Sequence, residues 1–247
     1  MISLRIEGPV AIATLSRPPV NAIDEGWIAR LREVLRMTGD ARVLLIRSSE
    51  KTFSAGADLA LMRSRFDSAQ GRVQMVAFVR EMQRAYASLE ASPLVSIAEI
   101  GGAAMGGGLE LALACDFRIA CATARLGLPE ARLGLLPGAG GTQRLTRLCG
   151  EATAKRLILG AEVVDGAQAA RLGIVQWAVP PGDLASRAQR LAGDLAALPA
   201  ESLAACKRCI AAAQGASGYE LELEATGTLL ASAETQGRVR AFLEQRR

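Results

Sequence analysis

Apolar and polar residues alternate over Ser3 to Glu7 and again over Val10 to Leu15, on either side of Gly8-Pro9, and this period of two across a turn predicts a β-hairpin. The period then changes. Trp27, Ile28, Leu31, Val34 and Leu35 recur at helical spacing behind Asp24, which predicts a helix capped by that aspartate. The apolar run in "RVLLIRSS" predicts a buried strand, and "PLVSIAEI" and "FRIACA" predict two more. Between them, the loop "KTFSAGADLALM" leads into a helix that Asp58 caps, and a long mixed helix follows over residues 70 to 91. A glycine turn then opens a helix from Gly107 to Cys115. Strand, helix and strand in this order predict right-handed crossover units with ligand-binding turns at strand ends.

From Glu151 onward the pattern is mainly helical, apart from a short strand candidate, "GIVQWAV", before Pro180-Pro181. The tail from Asp183 is rich in Ala and Leu and reads as a helical region. Within it, "YELELEAT" alternates with period two and could pass locally for a strand.

Composition narrows the class of protein. The chain has 247 residues, 50% hydrophobic and 22% charged, which is the make-up of a soluble globule with a sizeable core. Lys and Arg number 29 against 25 Asp and Glu, and they are scattered, so the clustered patch expected of a nucleic-acid binder is missing. A mild positive excess suits an anionic small molecule. The start, "MISLRIEGPVAIATLSR", has no secretory-signal pattern, and the longest apolar stretches are interrupted by Glu110, Asp116 and Arg118, so neither export nor membrane insertion is expected. Five cysteines, an odd count, argue against a disulfide framework and suit a reducing cytoplasm. Cys206 and Cys209 resemble a redox pair only until their setting, "ESLAACKRCIAAAQ", is read as a helix interior.

No histidine occurs, which removes Ser-His-Asp and Cys-His designs and the commonest metal ligand together. Acid and base work falls to other groups, and no metal is expected. Three glycine-bearing stretches remain: "FSAGADL", "GGAAMGGGLEL" and "LPEARLGLLPGAGGTQRL". None completes a phosphate-binding loop or a dinucleotide fingerprint. A glycine triplet between strand and helix leaves backbone N–H groups bare at the positive end of a helix dipole, with Gly107 the natural donor. If the Ala57 N–H points to the same place, the two would form an oxyanion hole; otherwise the glycines serve tight turns and packing. Glu110, among Leu109, Leu111 and Leu113, is expected to be buried and to have a raised pKa, or else to be a half-solvated first-turn residue. Glu130 follows Pro129 in a loop or turn, and two carboxylates with separated pKa values could divide acid and base roles.

Together "FSAGADLALM", "GGAAMGGGLELALACDFRIA" and "LGLPEARLGLLPGAGGTQRLTRLCG" resemble the signature blocks of the crotonase superfamily, most closely its enoyl-CoA hydratases, in the family's order. "VAIATLSRPPVNAI", "AARLGIVQWAVP" and "AFLEQRR" extend the resemblance over nearly the whole chain. It implies an α/β fold, a crotonase-like spiral of ββα units over residues 1–182 with a helical C-terminal trimerisation region over 183–247, assembled as a homotrimer or homohexamer. It also implies an acyl-CoA substrate and no cofactor, with the coenzyme A thioester itself as substrate. By position in the motifs, Ala57 and Gly107 would be the oxyanion donors, Glu110 the base and Glu130 the proton source at the α-carbon. Ala55, Asp58 and Leu59, with Ala22 in the opening loop, would run beside the CoA moiety. The same superfamily holds 3,2-enoyl-CoA isomerases and other acyl-CoA enzymes, and a non-catalytic acyl-CoA- or RNA-binding relative is the remaining alternative. Gly101-Gly102, Glu99 and Gln236-Gly237 stand where relatives often carry other residues, which puts local packing and the acyl pocket in question.

Overall fold

The computed structural model describes residues 1–213, 215 and 217–244; the last residues of the closing segment "AFLEQRR", 245 to 247, lie outside them. The chain runs β1 (Ile2–Glu7), β2 (Val10–Leu15), α1 (Glu25–Arg36), β3 (Val43–Ser48), α2 (Leu59–Arg63), α3 (Ala69–Glu90) and β4 (Val95–Ile100). It continues through β5 (Ala104–Met105), α4 (Gly107–Leu113), β6 (Phe117–Cys121), β7 (Arg125–Gly127), α5 (Gly141–Ile158), β8 (Val163–Asp165), α6 (Gly166–Arg171) and β9 (Trp177–Val179). Four helices close it: α7 (Leu184–Ala196), α8 (Ala200–Ala211), α9 (Gly218–Ala231) and α10 (Ala233–Glu244).

Six strands form the main sheet in the order β1-β2-β3-β4-β6-β9, antiparallel only at the hairpin. Parallel strands need both faces covered, and Val43, Leu44, Leu45 and Ile46 are accordingly all buried. Helix α1 covers the sheet with Trp27, Ile28, Leu31 and Val34, and its start is held by Asp24, which accepts a hydrogen bond from the Trp27 N–H at 2.8 Å. A second sheet, β5-β7-β8, has strands of two or three residues, too short to leave a period in the sequence. Its first strand, β5, leads directly into the glycine turn that opens α4.

The region beginning at residue 183 is not uniform. Helix α7 buries Leu184, Ala188, Ala192 and Ala196 against the main sheet. Helix α8 is tied down by Lys207, whose Nζ donates to the Leu94 carbonyl at 2.7 Å and to Asp116 at 2.8 Å. Helices α9 and α10 bury no residue. The alternating segment "YELELEAT" is part of α9: Leu221 and Ala225, with Leu229 beyond them, are half-buried at helical spacing, while Leu223 stands outward. Among the described residues no helix is long and apolar enough to cross a membrane.

Candidate active site

Two main-chain strips meet after β3 and β4. Ser54 and Ala104 form a parallel bridge, with the Ser54 N–H donating to Ala103 at 3.1 Å and the Met105 N–H to Ser54 at 2.9 Å. A few residues on, Ile23 bridges Ala57, using the Gly56 carbonyl and the Asp58 N–H and leaving the Ala57 N–H out of the pairing. Gly106 caps α4 with φ +50, a left-handed turn that glycine adopts without steric cost, and the helix starts at Gly107. The first N–H groups of a helix have no partner within it. Neither the Ala57 nor the Gly107 N–H donates a hydrogen bond to another described residue. The two are close: the Ala57 nitrogen lies 3.5 Å from the place a Cβ on Gly107 would take.

Glu110 projects from the first turn of α4 and is 2% exposed. Its Oε1 accepts a hydrogen bond from the Gly141 N–H at 2.7 Å, so the carboxylate sits on the N-terminus of α5, where the helix dipole favours an anion. Burial dominates nonetheless and raises its pKa to about 7, with Glu130 adding to the rise and the amides of Gly141 and Ala139 and the Arg144 guanidinium opposing it. Glu130 enters from a 3-10 turn, Pro129–Leu133. Its Oε1 lies 2.8 Å from the position a Cβ on Gly106 would occupy, which brings it over the start of α4. Burial raises its pKa as well, and its Oε2 makes no hydrogen bond to a described residue.

All four groups face one cavity of about 380 Å³. Ala55 and Leu59 line it too, and the remaining wall is apolar: Met62, Phe66, Met75, Val79, Met82, Leu133, Leu135 and Leu136. The other two residues expected beside the CoA moiety stand one layer back. Asp58 caps α2 through its Oδ1 and pairs with Arg17 through its Oδ2 at 3.1 Å, while Arg17 also donates to the Ala22 carbonyl and pairs with Asp24 at 2.8 Å. Arg17 thus joins Ala22 and Asp58, which are not among the residues that line this cavity. Among the described residues no three His, Cys, Asp or Glu side chains gather closely enough to hold a metal ion.

Three contributors escaped the sequence reading. Gly141, the second of the Gly140-Gly141 pair ahead of α5, supplies the amide that holds Glu110. Arg144 braces that loop, donating to the Ala139 carbonyl at 3.0 Å and to Glu90 at 2.9 Å. Tyr86, fully buried in α3, donates its hydroxyl to the Gly107 carbonyl at 2.9 Å. The mixed pattern of α3 gave no hint of which residue would reach the site. Chemically, two free amides, one of them at a helix start, can hold an oxyanion in an apolar pocket, with two carboxyls of raised pKa beside it.

The chain is similar to known proteins over its whole length. Crotonyl-CoA hydratase of Syntrophomonas wolfei is 34% identical, with 100% of this chain and 96% of the relative covered. The structure of Pseudomonas aeruginosa DspI superposes with a TM-score of 0.91 at 36% identity, over 99% of this chain and 94% of that one. The enoyl-CoA hydratase of Bacillus anthracis does so with a TM-score of 0.91 at 31% identity, over 99% and 96%. The fold is thus the α/β crotonase fold, with its helical C-terminal region. A family model described as enoyl-CoA hydratase/isomerase matches residues 5–247, and with the full-length relatives beside it the chain belongs to that family of enzymes.

Proposed function

We propose that this enzyme adds water reversibly to a trans-2-enoyl-CoA, giving a 3-hydroxyacyl-CoA. The observation that carries this reading is the convergence of two free amides, Ala57 and Gly107, and two buried carboxyls, Glu110 and Glu130, on one apolar cavity. The thioester oxygen accepts from both amides, which makes the β-carbon electrophilic. Glu110, ionised, takes a proton from water as the water oxygen bonds to the β-carbon, and the π electrons move onto the thioester oxygen as an enolate. That charge forms where the amides already point, so they bind the transition state better than the ground state. The enolate re-forms its carbonyl while the α-carbon takes a proton from Glu130. Proton exchange then resets the pair.

Glu130 adds to the rise in the Glu110 pKa, so the two carboxyls titrate together, and the reaction as written needs the proton on Glu130. An isomerase needs only one proton carrier, so a second carboxyl with an unpartnered oxygen favours hydration. Ala55 and Leu59 would flank the CoA moiety, with Ala22 and Asp58 keeping their loop in place through Arg17. The exposed apolar residues of α9 and α10, among them Leu223, Leu230 and Val239, suit a homotrimer or homohexamer. A cytoplasmic setting suits the free cysteines. Incubation with crotonyl-CoA tests the reaction: its conjugated absorbance should fall as 3-hydroxybutyryl-CoA appears, and unchanged absorbance with protein that binds the thioester would refute hydration.

A further inference from the structure

The two amides of the hole are held by different means. Ala57 is fixed on both sides by main-chain bonds, from the Ile23 N–H to the Gly56 carbonyl at 2.9 Å and from the Asp58 N–H to the Ile23 carbonyl at 2.8 Å. Gly107 sits in the middle of three glycines, where no Cβ restricts φ and ψ and where the helix it opens is only 7 residues long. An oxyanion donor must be in place before charge develops, so something outside the triplet has to hold it.

We propose that Tyr86 is the positioning residue for the Gly107 amide. Its ring is fully buried in α3 and its hydroxyl donates to the Gly107 carbonyl at 2.9 Å. One turn earlier on the same helix, the Met82 methyl stands 2.9 Å from where a Cβ on Gly107 would be, which closes the other side of the residue. The Gly107 carbonyl thus receives a side-chain donor in addition to its place in the helix ladder, and rotation of the glycine would break it. A phenylalanine would fill the same space, so the hydroxyl is the informative part. The phenol is kept neutral, and hence a donor, by burial and by the nearby Glu110, with Arg144 opposing.

The inference rests on the proposed hole, and the test separates the two. Carbonyl-¹³C-labelled butyryl-CoA, which is saturated and cannot be hydrated, reports polarisation through the thioester C=O stretch in the infrared. Binding to the wild type should move that band to lower frequency, and Tyr86→Phe should move it less while the Kd changes by no more than about twofold. With crotonyl-CoA the same variant should lose on the order of tenfold in kcat with KM nearly constant, a fraction of the hundredfold or more expected for removing an oxyanion donor outright. An unchanged band and kcat, even with a lower melting temperature, would make Tyr86 a packing residue only and overturn the proposal. No band shift in the wild type would also overturn it, since there would be no hole to position. The band comparison decides the point whether or not the wild type hydrates crotonyl-CoA. If Tyr86→Phe does not fold, uniform 3-fluorotyrosine labelling serves instead, because the chain has only two tyrosines, Tyr86 and the exposed Tyr219. The fluorophenol is a stronger donor and should hold Gly107 more firmly, moving the band further down; no change would count against the proposal.

Discussion

Helices α4 and α9 are both rich in leucine and both carry glutamate, yet they end up in opposite surroundings. Every residue of α4, Gly107 to Leu113, is buried, including Glu110; none of α9, Gly218 to Ala231, is. Hydrophobicity alone does not decide burial. Helix α4 is short and starts with glycines, so neighbouring backbone comes within contact: a Cβ on Gly108 would lie 2.4 Å from the Ser54 carbonyl oxygen. Helix α9 packs mainly on its neighbours α8 and α10 and leaves Leu223 and Leu230 in solvent at 68% and 64% exposure. One helix is part of a completed core, and the other presents apolar side chains that the described residues leave uncovered.

The sharpest break between them should come from the buried carboxylate. Glu110→Gln is expected to lower crotonyl-CoA turnover by a factor on the order of 10² to 10⁴, with butyryl-CoA binding retained, as stopped-flow absorbance and calorimetry would measure. Retained turnover would remove Glu110 from its role. For the same reason kcat/KM should fall as the pH drops through about 7, where the base takes up its proton.

Next in size is the pH dependence of stability. A carboxyl whose pKa rises on folding favours the fold while protonated; that contribution is complete below the ordinary value of 4.5 and lost as pH rises through about 7. Relative to wild type, Glu110→Gln should therefore gain up to about 3 kcal/mol at pH 8 and almost nothing at pH 4. Equal differences at both pH values in denaturant melts would contradict a buried, desolvated Glu110.

On α9, Leu223→Asp with Leu230→Asp should leave the core intact and reduce the mass seen by light scattering, since each leucine covered by a partner is worth about 1.5–3 kcal/mol. An unchanged mass would mean that α9 needs no partner. The two helices also permit a matched pair of glycine substitutions. Gly108→Ala should cost about 1–3 kcal/mol by overpacking against Ser54. Gly227→Ala, with open space around it, should add about 0.5–1 kcal/mol of helix propensity. If Gly227→Ala is destabilising instead, a partner chain packs on that spot.

The same contrast governs what could be read from sequence. Strands β3, β4 and β6 announced themselves as apolar runs, and the caps Asp24 and Asp58 do what their positions promised, with the Asp58 Oδ1 accepting from the Ala60 N–H at 2.9 Å. The burial of Glu110 followed from its leucine neighbours. Contacts made by chain segments far apart left no such trace: the Gly141 amide on Glu110 and the Tyr86 hydroxyl on Gly107 bridge 31 and 21 residues. Strands β5, β7 and β8 were missed because two or three residues cannot display a period. In α9, alternation of Glu and Leu competed with the helical spacing of Leu221, Ala225 and Leu229, and the helical spacing prevailed.

The Oε1 atoms of Glu130 and Glu110 lie 2.8 and 2.9 Å from where side chains on Gly106 and Gly141 would begin. This has a historical consequence. A lineage descending from this sequence is held at both glycines by more than the acids: Gly106 has φ +50, which a side chain rarely adopts, and a Cβ on Gly141 would also meet the Pro137 Cβ at 2.9 Å. Substitution therefore has a direction: either acid can be lost while its facing glycine stays. Descendants that adopted other chemistry on this scaffold would keep the gaps into which a glutamate can return.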